Sequence, residues 1–273
     1  MDSGAMLDSL APARRRLVIG VIVSVLAVVA VLAAVLVVHR IRGSALSPVD
    51  QSRRGPVLLV PGYGGSTTSL QVLAGGLTAA GQDATVVTLP GDGTGDLMAS
   101  AAVLGDAASA VMRRTGAGSV DVIGYSAGGI VARLWLANGG AALTRRVILL
   151  GTPNHGTTLA DLADTVALDS CPTACRQLTT SSDLLARLNS RDVLPVGPTF
   201  VSIWTTQDQT VTPPDSARLD GAVNFAVQTV CADAQVAHSD LPRDALVQAI
   251  VVSELGAAAP VEFTPADCGR LRA

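Results

Sequence analysis

Residues 122–130 read Val122-Ile123-Gly124-Tyr125-Ser126-Ala127-Gly128-Gly129-Ile130, a serine set among three glycines at the junction of two apolar runs. Glycine loses more backbone freedom on folding than any other residue, so three of them in nine positions call for a geometric reason. The preceding run, Val120-Asp121-Val122-Ile123, reads as a strand, and Ile130 to Asn138 reads as a helix. Between them, Gly124-Tyr125-Ser126-Ala127-Gly128 fits Gly-x-Ser-x-Gly. By composition alone that pattern is expected in roughly one chain in five of this length. Its place between a strand and a helix gives it weight: a sharp turn there holds the serine hydroxyl above the end of a sheet, in a strained backbone conformation, while the glycines let strand and helix approach.

Outward from that turn, Val- and Ile-rich runs alternate with Ala- and Leu-rich ones. Residues 57–60, 84–89, 119–123, 146–150, 199–204 and 223–230 read as buried strands. Residues 70–80, 97–114, 130–138 and 242–255 read as helices, with Gly81, Gly116 and Gly139 as stops. This alternation predicts an α/β fold, a mostly parallel sheet with helices on both faces, which binds ligands beyond the carboxyl ends of its strands. The forty residues 157–196 are too long for a bare connection and are expected to carry helices of their own, as a cap.

The chain has 273 residues, 49% of them hydrophobic, a net charge of −3 and a mean hydropathy of +0.45. All 19 basic residues are arginine, thinly scattered, so no basic face for nucleic acid is expected. Residues 17–38 carry no charge, and 22 residues of helix span roughly 33 Å, enough for a hydrocarbon core of about 30 Å. The expected organisation is an N-terminal tail at 1–16, a single transmembrane anchor or long signal segment at 17–38, a linker at 39–55 and the α/β domain at 56–273. Arginines flank the span on both sides and leave its orientation open. The cysteines speak to it instead. Cys171, Cys175, Cys231 and Cys268 lack the spacing of a zinc site, and two disulfides imply an oxidising compartment, hence a domain outside the cytoplasm. Four cysteines permit three pairings, of which 171/175 with 231/268 is the simplest.

A serine hydroxyl attacks only with a base beside it. His39 flanks the apolar span, which leaves His155, in Gly-Thr-Pro-Asn-His-Gly, and His238, in the loop after the last strand. In this type of fold the acid and the histidine follow the serine in that order, each at a later strand end, so His238 is the expected base and His155 a loop residue near it. Asp208, just beyond the 199–204 strand, is the expected acid, with Asp215 and Asp220 as competitors. The oxyanion needs preorganised N–H groups: Ala127 follows the serine, and Tyr63 lies in the glycine-rich loop Pro61-Gly62-Tyr63-Gly64-Gly65. That loop has neither the Gly-x-Gly-x-x-Gly pattern nor the lysine of a phosphate-binding loop, and residues 91–96 lack the later carboxylates of a calcium loop.

Together these segments resemble the α/β-hydrolases, and more narrowly the small bacterial lipases and esterases called class 2 lipases. The resemblance runs from residue 56 to 255 and rests on 61–65, 124–129, 151–156, Asp208 and His238. It implies hydrolysis of carboxylic esters or lipids through an acyl-enzyme, without cofactor or metal: Ser126 attacks, His238 transfers the proton, Asp208 orients His238, and the N–H groups of Tyr63 and Ala127 receive the oxyanion. Thioesterases, amidases, acyltransferases and silent binding proteins share the fold, so they stay open here. Within the cap, Leu159, Leu162, Val166, Leu184, Leu185 and Leu188 are read either as an acyl site or as core packing.

Overall fold

The computed structural model describes residues 20–21, 23–31, 49–166, 171–190 and 194–273. The chain divides into two units, residues 1–47 and 48–273. In the first, the described residues 20–21 and 23–31 are helical. Among the described residues no helix is long and apolar enough to cross a membrane. The expected transmembrane helix at 17–38 is not found among the described residues, and residues 17–19, 22 and 32–38, with the tail at 1–16 and most of the linker, lie outside them.

The second unit is built on six strands: β1 (Val57–Val60), β2 (Ala84–Val86), β3 (Val120–Tyr125), β4 (Thr144–Leu150), β5 (Thr199–Trp204) and β6 (Val223–Ala226). They form one sheet in the order β2-β1-β3-β4-β5-β6, and every pairing is parallel. Parallel neighbours need crossover connections, and the helices α1 (Thr68–Ala79), α2 (Leu97–Thr115), α3 (Ala127–Ala137), α4 (Thr158–Val166), α5 (Thr173–Gln177) and α6 (Asp183–Asn189) lie in those between β1 and β5, while a 3₁₀ turn, Pro214–Ala217, lies between β5 and β6, and α7 (Val227–Val230), α8 (Ala245–Gly256) and α9 (Cys268–Leu271) follow the last strand. Two apolar clusters fill the two faces. One gathers α2, α3 and the cap around Leu58, Val122 and Leu149; the other gathers α1 and α8 around Leu59, Ile123 and Ile148. Adjacent strand residues therefore point to opposite cores, the reason the central strands read as unbroken apolar runs.

The chain runs from β1 outward to β2, then returns to add β3 on the other side of β1. A crevice opens beyond the carboxyl ends of the strands where the winding reverses, between β1 and β3. The loop 61–65 and the turn at Ser126 both enter there. Two expectations need correction. The 223–230 run is not one strand: β6 stops at Ala226 and the chain coils into α7. The second strand is three residues long at the sheet edge, not six.

The cap spans α4, α5 and α6. Leu185 is buried and Leu184 and Leu188 pack against the α3-side core, whereas Leu159, Leu162 and Val166 of α4 face solvent, Val166 at 75% exposure. The six leucine and valine positions thus divide: α6 holds the cap to the body, and α4 offers an uncovered apolar face. Both expected disulfides are formed, Cys171–Cys175 inside the cap and Cys231–Cys268 tying the end of α7 to α9.

Candidate active site

Ser126 adopts φ 53° and ψ −128°, and among the described residues it is the one non-glycine with positive φ. A side chain at such an angle costs of order 1–3 kcal/mol and persists only where the surroundings enforce it. They do. The Ser126 N–H donates to the Leu150 carbonyl at the end of β4 (2.8 Å), and its own carbonyl accepts from Gly129 N–H (3.0 Å) as α3 begins. Close approach accounts for two of the glycines: a Cβ on Gly124 would strike the Gly129 backbone, and one on Gly128 would strike the Val60 and Pro61 carbonyls. Strand, turn and helix are wedged so tightly that the serine is left at the apex of the turn.

The His238 imidazole stands over it, with Nε2 3.0 Å from Ser126 Oγ. On its other side Nδ1 lies 2.6 Å from Asp208 Oδ2. The second oxygen, Oδ1, accepts from the N–H groups of Thr210 (2.9 Å) and Val211 (2.8 Å), so the carboxylate is fixed in orientation by the turn that follows β5. All three side chains belong to buried residues. In a site with little water, such charge-assisted bonds are short and directional. Asp215 and Asp220 are exposed and make no contact with His238, and His155 is exposed, with Nδ1 3.5 Å from Asn189 Nδ2 rather than at the serine.

The His238 loop is tied to the Asp208 loop by side chains whose part the sequence gave no reason to single out. Thr205 Oγ1 donates to the Val236 carbonyl (2.6 Å) and accepts from Gln228 (2.9 Å), while Gln207 Oε1 accepts from Val236 N–H (3.1 Å). From the serine side, Tyr125 donates its hydroxyl to the His238 carbonyl (3.2 Å) and sets its ring 5.2 Å from the imidazole. Burial, then the nearby Asp208 charge, push the Tyr125 phenol up to about 12, so it remains a donor throughout the physiological range. Tyr125 sits at the variable position of the pentapeptide, where the motif says nothing about the side chain.

The loop after β1 passes close to the serine: a Cβ on Gly62 would lie 2.9 Å from Ser126 Cβ and 3.5 Å from Oγ. Tyr63 is the next residue and is exposed. Among the described residues neither its N–H nor that of Ala127 has a backbone acceptor, which leaves both donors free. The described residues hold no cluster of His, Cys, Asp and Glu able to bind a metal.

The family Lipase (class 2) matches residues 106–238, a stretch that runs from α2 through the serine turn to His238. No curated protein matches the chain. Among solved structures it is similar to Aspergillus fumigatus lipase B, with 20% identity and a TM-score of 0.66 over 81% of this chain and 57% of that one. It is similar also to Bacillus licheniformis lipase BlEst2, at 22% identity and TM-score 0.55 for the mature form, over 66% of this chain and 86% of that one. The propeptide form of the same lipase aligns at 21% identity and TM-score 0.64, over 80% and 53%. The chain therefore spans little more than half the length of the fungal lipase. At such identities the likeness establishes the fold.

Proposed function

We propose that the chain is a class 2 lipase-like α/β-hydrolase that cleaves carboxylic ester or lipid substrates through an acyl-enzyme formed on Ser126, a reading supported by the family match over residues 106–238 and by the fold. The observation that carries this reading is the continuous relay from Asp208 through His238 to Ser126, with contacts of 2.6 and 3.0 Å. Ser126 Oγ attacks the ester carbonyl as His238 Nε2 takes its proton. The negative charge on the carbonyl oxygen falls to the Ala127 and Tyr63 N–H groups, and the collapse of the intermediate expels the alcohol, which takes the proton from His238. Water then repeats the sequence on the acyl-enzyme and releases the acid. Asp208 holds Nδ1–H and stabilises the imidazolium that forms in each half-reaction.

The uncovered apolar face of α4, with Leu159, Leu162 and Val166, supports a substrate that is itself apolar. Two disulfides support a place in an oxidising compartment, and the uncharged run 17–38 supports a single membrane anchor with the catalytic unit outside the cytoplasm. Carbonate extraction of membranes from producing cells, with protease added to intact cells, tests the anchor: release of the chain into the soluble fraction overturns it.

The catalytic reading is tested by a fluorophosphonate label and a series of p-nitrophenyl esters of rising chain length. Wild-type protein is expected to be labelled at one site and to turn over esters. Ser126→Ala is expected to resist labelling and to lose more than about 10⁴-fold in kcat. Equal labelling of both proteins, or of neither, ends this reading.

A further inference from the structure

Arg133 lies on α3, seven residues beyond Ser126 and hence about 10 Å along the helix axis. It is 4% exposed. Among the described residues three arginines of this domain are buried, and they are not alike. Arg145 forks onto the Asp121 carboxylate at 2.9 and 2.6 Å, and Arg146 lies 3.7 Å from the Glu254 carboxylate. Arg133 has no carboxylate within ion-pair distance among the described residues. Its Nη1 donates to Asn154 Oδ1 (3.1 Å) and its Nη2 to Asn189 Oδ1 (2.7 Å), two neutral acceptors for five N–H groups. Among the described residues Nε has no acceptor, yet it is not one of the buried polar atoms sealed away without a partner. Burial draws the guanidinium down to about 10, which still leaves it a cation at neutral pH. A buried cation is costly without a counter-charge, and none of the described carboxylates lies within ion-pair distance of this one.

The guanidinium lines a cavity of about 240 Å³ between α3, α6, the turn after β4 and the segment before β6. Neither Ser126 nor His238 borders it. Its other walls are mainly apolar, with Leu136, Leu188, Leu194 and Phe200 among them, and His155 and Asp220 also line it. We propose that this cavity is a binding site for a small monocarboxylate with an apolar tail, its carboxylate seated on Arg133 and its tail against Leu188, Leu194 and Phe200. The planar fork of a guanidinium matches a carboxylate, and one buried positive charge neutralises one negative charge. A phosphate dianion would bring a second charge into a largely apolar space, against the Asp220 carboxylate. Size narrows the class further. A cavity of about 240 Å³ lies below the range typical of sites for drug-sized ligands, which suits a short-chain acid such as hexanoate. Acids released by ester hydrolysis fall in this class, but the site stands whether or not Ser126 is a nucleophile.

The test is a calorimetric titration of the full chain with sodium hexanoate, 1-hexanol and inorganic phosphate, repeated on Arg133→Gln and on Leu194→Trp. The first variant removes the charge, and the second fills the cavity while leaving Arg133 and its two asparagine contacts in place. Thermal melting checks that both remain folded. Saturable binding of hexanoate alone is expected, weakened by about tenfold or more in each variant. The absence of saturable hexanoate binding to the wild type, undiminished binding to Leu194→Trp, or phosphate binding as tight as hexanoate would each overturn the proposal. Covalent labelling at Ser126 is read separately, so a failure of hydrolysis and a failure of this site are distinct results.

Discussion

At the scale of single residues, the catalytic assignment turns on two atoms held where they would not otherwise rest. Ser126 is kept at φ 53° by the wedge of Gly124, Gly128 and the Leu150 carbonyl. Glycine carries no penalty there and alanine carries all of it. Ser126→Gly and Ser126→Ala should both abolish turnover, but the glycine variant should be the more stable by about 1 kcal/mol in urea unfolding, after allowance for its more flexible unfolded chain. Equal stability would mean that the turn stores no strain. The second atom is His238 Nδ1, held by an Asp208 carboxylate whose other oxygen is occupied by Thr210 and Val211. In Asp208→Asn the carbonyl oxygen keeps those two N–H donors and the amide nitrogen turns to His238. The ring is thereby forced into the tautomer with its proton on Nε2, unable to accept from Ser126. A loss of about 10⁴-fold in kcat with little change in melting temperature is the expected outcome of steady-state kinetics and calorimetry.

At the scale of elements, the histidine depends on a loop with no regular structure other than the short 3₁₀ turn at His238–Asp240. It is held by Thr205, Gln207, Gln228 and Tyr125, and upstream by Cys231–Cys268, which closes 37 residues between α7 and the C-terminal α9. On a chain-entropy basis, replacing both cysteines with serine removes up to about 4 kcal/mol of stability, measurable by urea unfolding, with the Cys171–Cys175 clip worth roughly half as much. How these elements could be read from the sequence differs from one to the next. The serine turn was legible because glycine, serine and two apolar runs have one compact solution there, and Asp208 and His238 followed from strand ends. The residues that brace them were not, since a threonine or glutamine in a loop carries no periodic signal. The end of β6 was misread because Val223 to Val230 are mostly apolar, and burial without a period does not distinguish a strand from one turn of helix. Arg133 was invisible for the opposite reason: a lone charge on a helix ordinarily marks its solvent face, and here it points inward.

At the scale of the whole molecule, polar chemistry is divided between the two ends of the sheet. The serine relay occupies the carboxyl ends of the strands. The amino ends of β3 and β4 hold a buried ionic cluster in which Asp121 meets Arg145, and Arg146 approaches Glu254 of α8. The first pair has fork geometry and full satisfaction. The second is looser: Arg146 Nη2 has no partner, and both Glu254 oxygens are 3.2 Å from the Val261 N–H. Burial therefore outweighs the help from Val261 and Arg146 and pushes the Glu254 carboxyl up to about 7, from an ordinary 4.5. The sign of the consequence follows from the raised value. Between pH 4.5 and 7 the folded chain holds this proton more tightly than the unfolded chain, so the stabilisation is complete below 4.5 and is lost as pH rises through 7. Glu254→Gln mimics the protonated acid at every pH. It should match the wild type in urea unfolding at pH 5 and become the more stable protein at pH 8, by no more than about 3 kcal/mol. A difference that stays constant from pH 5 to 8 would show instead that Arg146 keeps Glu254 ionised throughout, and that the two ends of the sheet are equally well paired.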